Sequence, residues 1–386
     1  MKTLNIVIFF TVFFAIYGVV NYYLYVRGLQ ALPADTPWRS WYTPLVVFLA
    51  LSFIAGRFLE RAWLSPVSSA LVWIGSYWLA AMLYFLLAVL LLDLLRGAHA
   101  LIPFFPEWIT SQYERVKLLT AISIVGVVAV VLIVGSINAC QPRTRALEMT
   151  LHKEANGGNP LRIVMASDIH LGTIIGQGRF DRIVATINAL EPDLVLFPGD
   201  LVDEDLTPVI RQNLGESLRA VRAKLGVFAA TGNHEYIGGV EEACAYLQEH
   251  GITVLRDSLV RLENGLQIIG REDRSIRQFT GKERKSLEEL MRTADRNAPI
   301  ILMDHQPIGL DEAERNGVDI QLSGHTHHGQ LWPFNHVTEA IYELSWGYLQ
   351  REETHFIVST GVGTWGPPVR TGNRPEVVIL TVRFSS

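Results

Sequence analysis

Cysteine is nearly missing: Cys140 and Cys244 are the only two among 386 residues, which excludes a disulfide scaffold. Charge is also scarce, at 18% of residues, and the scarcity is local. Residues 1–140 hold 8 Lys/Arg and 5 Asp/Glu, whereas residues 141–386 hold 25 and 33. Only the second density is that of an ordinary globular domain, so one soluble fold is excluded. A hydrophobic content of 49% excludes a disordered chain, and no triplet repeat points to collagen. Formal charge divides at the same place, +3 before and −8 after, for a total of −5. An acidic soluble part lacks the basic face that replaces phosphate counterions, so no nucleic-acid partner is expected.

What the first 140 residues do have is long apolar runs. A membrane helix needs about 20 mostly apolar residues, and four stretches approach or meet that: 4–26, 42–58, 70–95 and 118–139. Tyr22, Tyr23, Trp41, Tyr42 and Trp63 lie near their ends, where amphipathic rings favour the headgroup zone. The first run is longer than a signal-peptide core and no clear small-residue cleavage site follows, which favours an anchor over a cleaved leader. Residues 101–116 mix aromatic and charged side chains and suit the interface as well as an ordinary loop. The bilayer is thus one expected partner. Four crossings put both ends of the chain on one side. Arg143 and Arg145, directly after the last run, tip that side weakly to the cytoplasm under the positive-inside rule.

The expected organisation is a transmembrane region of about four helices over 1–140, a linker over 141–160 and a catalytic domain over 161–386. The linker reading rests on turn formers at Gln141-Pro142-Arg143 and Asn156-Gly157-Gly158-Asn159-Pro160. Beyond it, short apolar runs alternate with helical patterns: strands at 162–166, 194–197 and 226–230, helices at 180–190, 210–223 and 240–249. Further strands are expected at 252–255, 259–262, 267–269, 300–303, 320–322, 356–359 and 377–382. The alternation predicts an α/β or mixed layered domain.

The chemistry sits where these strands end. After the first comes Asp168-Ile169-His170, after the second Gly199-Asp200, after the third Gly232-Asn233-His234-Glu235. Later strands lead into Asp304-His305 and Gly324-His325-Thr326-His327-His328. Carboxylate, imidazole and amide oxygen are donors for first-row divalent ions, and a carboxylate can bridge two ions about 4 Å apart. Asp-x-His in an extended segment would point both side chains to one face. Each piece alone is ordinary surface or turn chemistry; the ordered set, each after its own strand, is not.

This set resembles the calcineurin-like metallophosphoesterase superfamily. The run Gly324–Gln330 and the closing segment Gly361–Arg370 look more narrowly like its membrane-anchored branch. The resemblance implies two mixed β-sheets packed face to face and flanked by helices, following an N-terminal α-helical transmembrane bundle. It also implies two divalent metal ions, which mixed N/O donors would allow to be Mn, Fe or Zn. Carried over, Asp168, His170 and His327 hold the first ion, Asn233, His305 and His325 the second, and Asp200 bridges. His234 is the catalytic histidine beside them. Glu235 is expected to orient a histidine by a hydrogen bond, and Arg370 and His328 are candidate substrate contacts.

The implied function is metal-dependent hydrolysis of a phosphoester or pyrophosphate bond, with a phosphodiesterase favoured. The substrate is expected to be lipid-linked or membrane-proximal, because four spans exceed what tethering needs and Trp332, Phe334, Trp346 and Tyr348 could form an apolar lip. The alternative is a catalytically silent metal- or nucleotide-binding membrane sensor or scaffold, which would show a degraded ligand set; all seven ligand positions are intact. A transporter would want polar groups inside the spans, and Asn21 and Asp93 are read as lying near span ends.

Overall fold

The charge-poor stretch folds into long helices: α1 (Lys2–Ala31), α2 (Trp38–Ala62), α3 (Pro66–Leu101) and α5 (Tyr113–Ala139), with the short α4 (Glu107–Ser111) before the last. The structure is a computed structural model that describes residues 2–153 and 160–385. All four long helices are long and apolar enough to cross a membrane. Ser65 starts α3: its hydroxyl accepts from the Ser68 amide while Ser68 accepts from the Ser65 amide, and Pro66 takes the first helical position. Asn21 lies ten residues before the end of α1 (Lys2–Ala31), inside the helix. A polar group is tolerated there because it is satisfied between helices: Trp78 Nε1 donates to Asn21 Oδ1 at 2.9 Å, and the Asn21 amide donates to the Tyr17 carbonyl. Asp93 is likewise engaged by Tyr23 and Arg27.

The second compact unit, Ser136–Ser386, holds twelve strands: β1 (Arg143–Leu151), β2 (Leu161–Met165), β3 (Leu194–Pro198), β4 (Val227–Ala230), β5 (Thr253–Val254), β6 (Ser258–Arg261), β7 (Gln267–Gly270), β8 (Ile300–Met303), β9 (Ile320–Ser323), β10 (Gly347–Arg351), β11 (Thr354–Val358) and β12 (Glu376–Phe384). They form two six-stranded mixed sheets, in order β1-β12-β2-β3-β4-β5 and β10-β11-β9-β8-β7-β6. One core fills the space between them, with Ile163, Met165 and Leu196 from the first sheet meeting Ile268, Met303 and Leu322 from the second. Helix α6 (Gln177–Ala189) follows β2 and buries Phe180, Ile183, Val184 and Ile187, the i, i+3, i+4, i+7 spacing of one helical face.

Two expectations are corrected. Within the expected linker, residues Arg143–Leu151 form a nine-residue strand, parallel to β12. Its burial alternates, with Arg145, Leu147, Met149 and Leu151 turned inward more than their neighbours, a period-2 pattern overlooked beside the turn formers. Residues 156–159 lie outside the described residues. The expected helix over 210–223 is two short ones, Thr207–Arg211 and Leu214–Arg219, because Asn213 between them adopts a left-handed φ of 53°.

Candidate metal centre

Strands β2, β3 and β4 are adjacent and parallel in one sheet, as β8 and β9 are in the other. Parallel strands deliver their C-terminal ends to the same edge, and the expected metal ligands, His234, Glu235 and His328 follow those five ends, while Arg370 comes later, between β11 and β12. The loops then turn sharply. Asp168, His170, Asp200, His325 and His327 all have positive φ, between 45° and 68°. Alternation along an extended strand therefore does not bring Asp168 and His170 together; consecutive left-handed turns do. Such backbone costs about 1–3 kcal/mol per residue and clusters at functional sites. The loops also pack closely: a Cβ on Gly324 would lie 2.1 Å from Asp168 Oδ2, so only glycine lets these two loops meet.

Two groups of donors result. In the first, His170 Nε2 and His327 Nε2 are 2.9 Å apart and His327 Nε2 is 3.5 Å from Asp168 Oδ1. In the second, His305 Nε2 lies 3.2 Å and His325 Nδ1 2.8 Å from Asn233 Oδ1. Asp200 Oδ2 sits between the groups, 3.1 Å from His305 Nε2 and 3.8 Å from His170 Nε2. His305 Nδ1 donates to the Pro198 carbonyl at 2.8 Å, which turns Nε2 toward the cluster. Burial, with His170 and Arg370 close by, holds His327 well below the usual histidine range; the ring is neutral, as a ligand must be. Among the described residues, buried Asp168 Oδ2 has no hydrogen-bond partner. An orphaned carboxylate oxygen inside a ring of imidazoles fits a cation.

His234 flanks both groups. Its backbone amide donates to Asp200 Oδ1 at 2.9 Å, and its Nδ1 lies 3.1 Å from Asp203 Oδ1. Burial opposes its charge, but the Asp200 and Asp203 carboxylates outweigh burial and hold the imidazole up to about 9. Asp203 escaped the sequence reading, although it stands only three positions beyond Asp200. Glu235 does not orient a histidine. Its carboxylate accepts from the amides of Asp200, Val202 and Gly232, which ties together the loops after β3 and β4. Arg370 is no substrate contact: it is 0% exposed and donates to the carbonyls of Thr360, Gly361 and Gly363. His328 stands at the rim, with Nδ1 3.1 Å from Ser345 Oγ and its ring 5.5 Å from that of Trp346.

Comparison with known proteins bears on this arrangement. The family model described as calcineurin-like phosphoesterase matches residues 161–329. A Danio rerio transmembrane protein with metallophosphoesterase domain is 31% identical over 375 residues, which cover 92% of this chain and 83% of that one. The chain belongs to the calcineurin-like metallophosphoesterases. A Bos taurus protein of the same name is 33% identical over 67% of this chain and 61% of its own length. An uncharacterized Aquifex aeolicus metallophosphoesterase is 33% identical over 58% of this chain and 86% of its own. This metallophosphoesterase is thus a metal-dependent phosphoric ester hydrolase carrying four membrane-length helices. The family works with a dinuclear metal centre, and the groups Asp168/His170/His327 and Asp200/His305/His325 each converge closely enough to hold an ion.

Proposed function

We propose that the protein is a phosphodiesterase acting on a lipid-linked phosphoester or pyrophosphate at the membrane, with its catalytic domain on the cytoplasmic side. The observation that carries the hydrolytic site is the pair of donor groups sharing Asp200 Oδ2. In this reading Asp168, His170 and His327 hold one cation, Asn233, His305 and His325 the other, and Asp200 bridges. When bound, two cations supply Lewis acidity and clamp the attacking and leaving oxygens of an in-line displacement. The chain's own contribution is positional and protonic. Asp203 fixes the His234 ring through Nδ1, which leaves Nε2 as the nitrogen that can offer a proton to a phosphoryl or leaving-group oxygen. Glu235 keeps Asp200 in register through its backbone amide.

The lipid-linked reading is supported by the rim. The helix Phe334–Ile341 buries none of its residues. Phe334, Val337 and Ile341, spaced along one face, are 45%, 50% and 68% exposed. Exposed Trp332 lies just before this helix, and Tyr342, directly after it, has its ring 6.1 Å from that of His325. Exposed Trp365 has its ring 6.0 Å from that of His234. Tyr348, expected in the same lip, instead sits on β10 with its hydroxyl 2.7 Å from His355 Nδ1. An apolar face left open beside a charged centre suits a substrate with a phosphate head and a hydrocarbon tail. Phe334→Ser, Val337→Ser and Ile341→Ser together are expected to lower kcat/KM for a long-chain phosphodiester about tenfold or more, leaving a water-soluble bis-aryl phosphate unaffected. Equal loss on both substrates would sink the lipid reading.

The side of the membrane can be read from Cys140, exposed directly after α5. Membrane-impermeant maleimide is expected to leave it unlabelled in intact cells and to label it after permeabilisation. Cys244, being buried, stays silent in both. Labelling in intact cells reverses the assignment.

A further inference from the structure

The last turn of α5 belongs to the unit that carries the two sheets, which starts at Ser136. Its Asn138 amide donates twice, to the Arg370 carbonyl and to the Asn373 carbonyl, each at 2.8 Å. Those two residues are the ones whose side chains grip His327. Asn373 Nδ2 donates to the His327 carbonyl at 2.5 Å and to the His328 carbonyl at 2.9 Å. Arg370 Nη1 donates to Asn373 Oδ1 at 2.6 Å, while its Nη2 lies 3.3 Å from His327 Nδ1. The helix end is itself anchored, because Arg179 on α6 donates to the Ala139 carbonyl at 2.9 Å. Backbone support matters here more than at an ordinary loop, since His327 and His328 hold left-handed φ values of 45° and 43°, which persist only where surroundings over-determine them.

We infer that Asn138 is a positioning residue for the metal centre: the last turn of the final membrane-length helix braces the Arg370–Asn373 strap, and the strap holds His327 where it ligates the first cation. The inference rests on the proposed ligand assignment, in which Asn138 touches no ion and acts only through the strap. Its consequence is selective. Loss of the brace frees His327 but leaves Asn233, His305 and His325, which are held by β4, β8, β9 and the Pro198 carbonyl. Partners that orient a ligand are typically worth 10- to 100-fold in metal affinity.

The test uses the full-length protein in detergent, titrated with Co(II) and followed by its visible absorption. Asn138→Leu, which keeps the size and removes both donors, is expected to weaken one of two Co(II) equivalents about tenfold. The other equivalent and the melting of the metal-free protein are expected to stay at the wild-type values. Asn138→Gln, which keeps the amide, is expected to restore part of the loss. Two wild-type affinities in Asn138→Leu overturn the inference, and so does equal weakening of both, which is what general loosening of the domain produces. If the leucine variant does not accumulate, Asn138→Ser decides by the same criteria. Wild-type protein that takes up fewer than two Co(II) overturns the dinuclear ligand assignment itself, and the brace with it.

Discussion

Asp200→Asn is expected to lower kcat/KM on a bis-aryl phosphate by about 10³-fold, roughly 4 kcal/mol of transition-state stabilisation. The substitution keeps shape and volume, and an amide oxygen at Oδ1 still accepts from the His234 amide. What it removes is the charge at the one carboxylate common to both donor groups. Nearby imidazoles, His305 and His234 foremost, outweigh burial and hold the Asp200 carboxyl well below the ordinary range, so the aspartate is fully ionised at working pH and the asparagine is not a protonation mimic of it. Bound metal should fall below two equivalents in the same preparation, measured by elemental analysis. Full activity with two metals retained would remove Asp200 from the centre.

His234→Ala carries the second large effect, a fall in kcat of about 10²- to 10⁴-fold with KM little changed and both metals still bound. The split follows from geometry: the ring lies against Asp203 and Asp200 without belonging to either proposed ligand trio. Steady-state kinetics with two leaving groups separate its possible contributions. Proton donation predicts a larger loss for a poor alkoxide leaving group than for an aryl oxide, whereas steadying of phosphoryl charge predicts equal losses. Asp203→Asn should reproduce the pattern at about 10- to 100-fold, since it disturbs the orientation of the ring and removes a carboxylate that favours its charged form. An unchanged kcat in His234→Ala would rule out both roles.

Much of this site was legible because its information is local. Asp168, His170, Asp200, Asn233, His305, His325 and His327 each follow a short apolar run within a few residues, and the run and the donor can be read together without knowing what lies opposite. Glu235, Arg370 and Asp203 were misread or missed for the converse reason. Whether a carboxylate orients a ring or accepts three backbone amides, and whether a guanidinium meets a phosphate or three carbonyls, depends on how loops fold back: the partners lie 3 to 35 residues from Glu235 and 7 to 10 from Arg370, and no local periodicity names them. Strand β1 shows the same limit in the fold. Its partner β12 begins more than 200 residues later, and nothing between Arg143 and Leu151 announces that register.

By itself, the sequence determined the break in charge near residue 140, the four membrane-length helices, the two-layer α/β class and the donor types of a dinuclear centre. The charge break, the apolar runs and the α/β alternation follow from composition and short periodicities that any segment carries alone; the two facing sheets and the dinuclear centre are what the resemblance of the ordered motifs to the calcineurin-like family implies. Only the tertiary structure decided that left-handed turns, not strand alternation, bring the donors together. It also placed Asp203 behind His234, enclosed Arg370, left the helix Phe334–Ile341 open to its surroundings, and set Asn138 behind the strap that holds His327. Each of these depends on which distant segments become neighbours, and that is settled by packing two sheets and their loops against one another at once. The shortage of charge in the first 140 residues thus marks where the membrane part lies, while the placement of charge in the rest defines the chemistry.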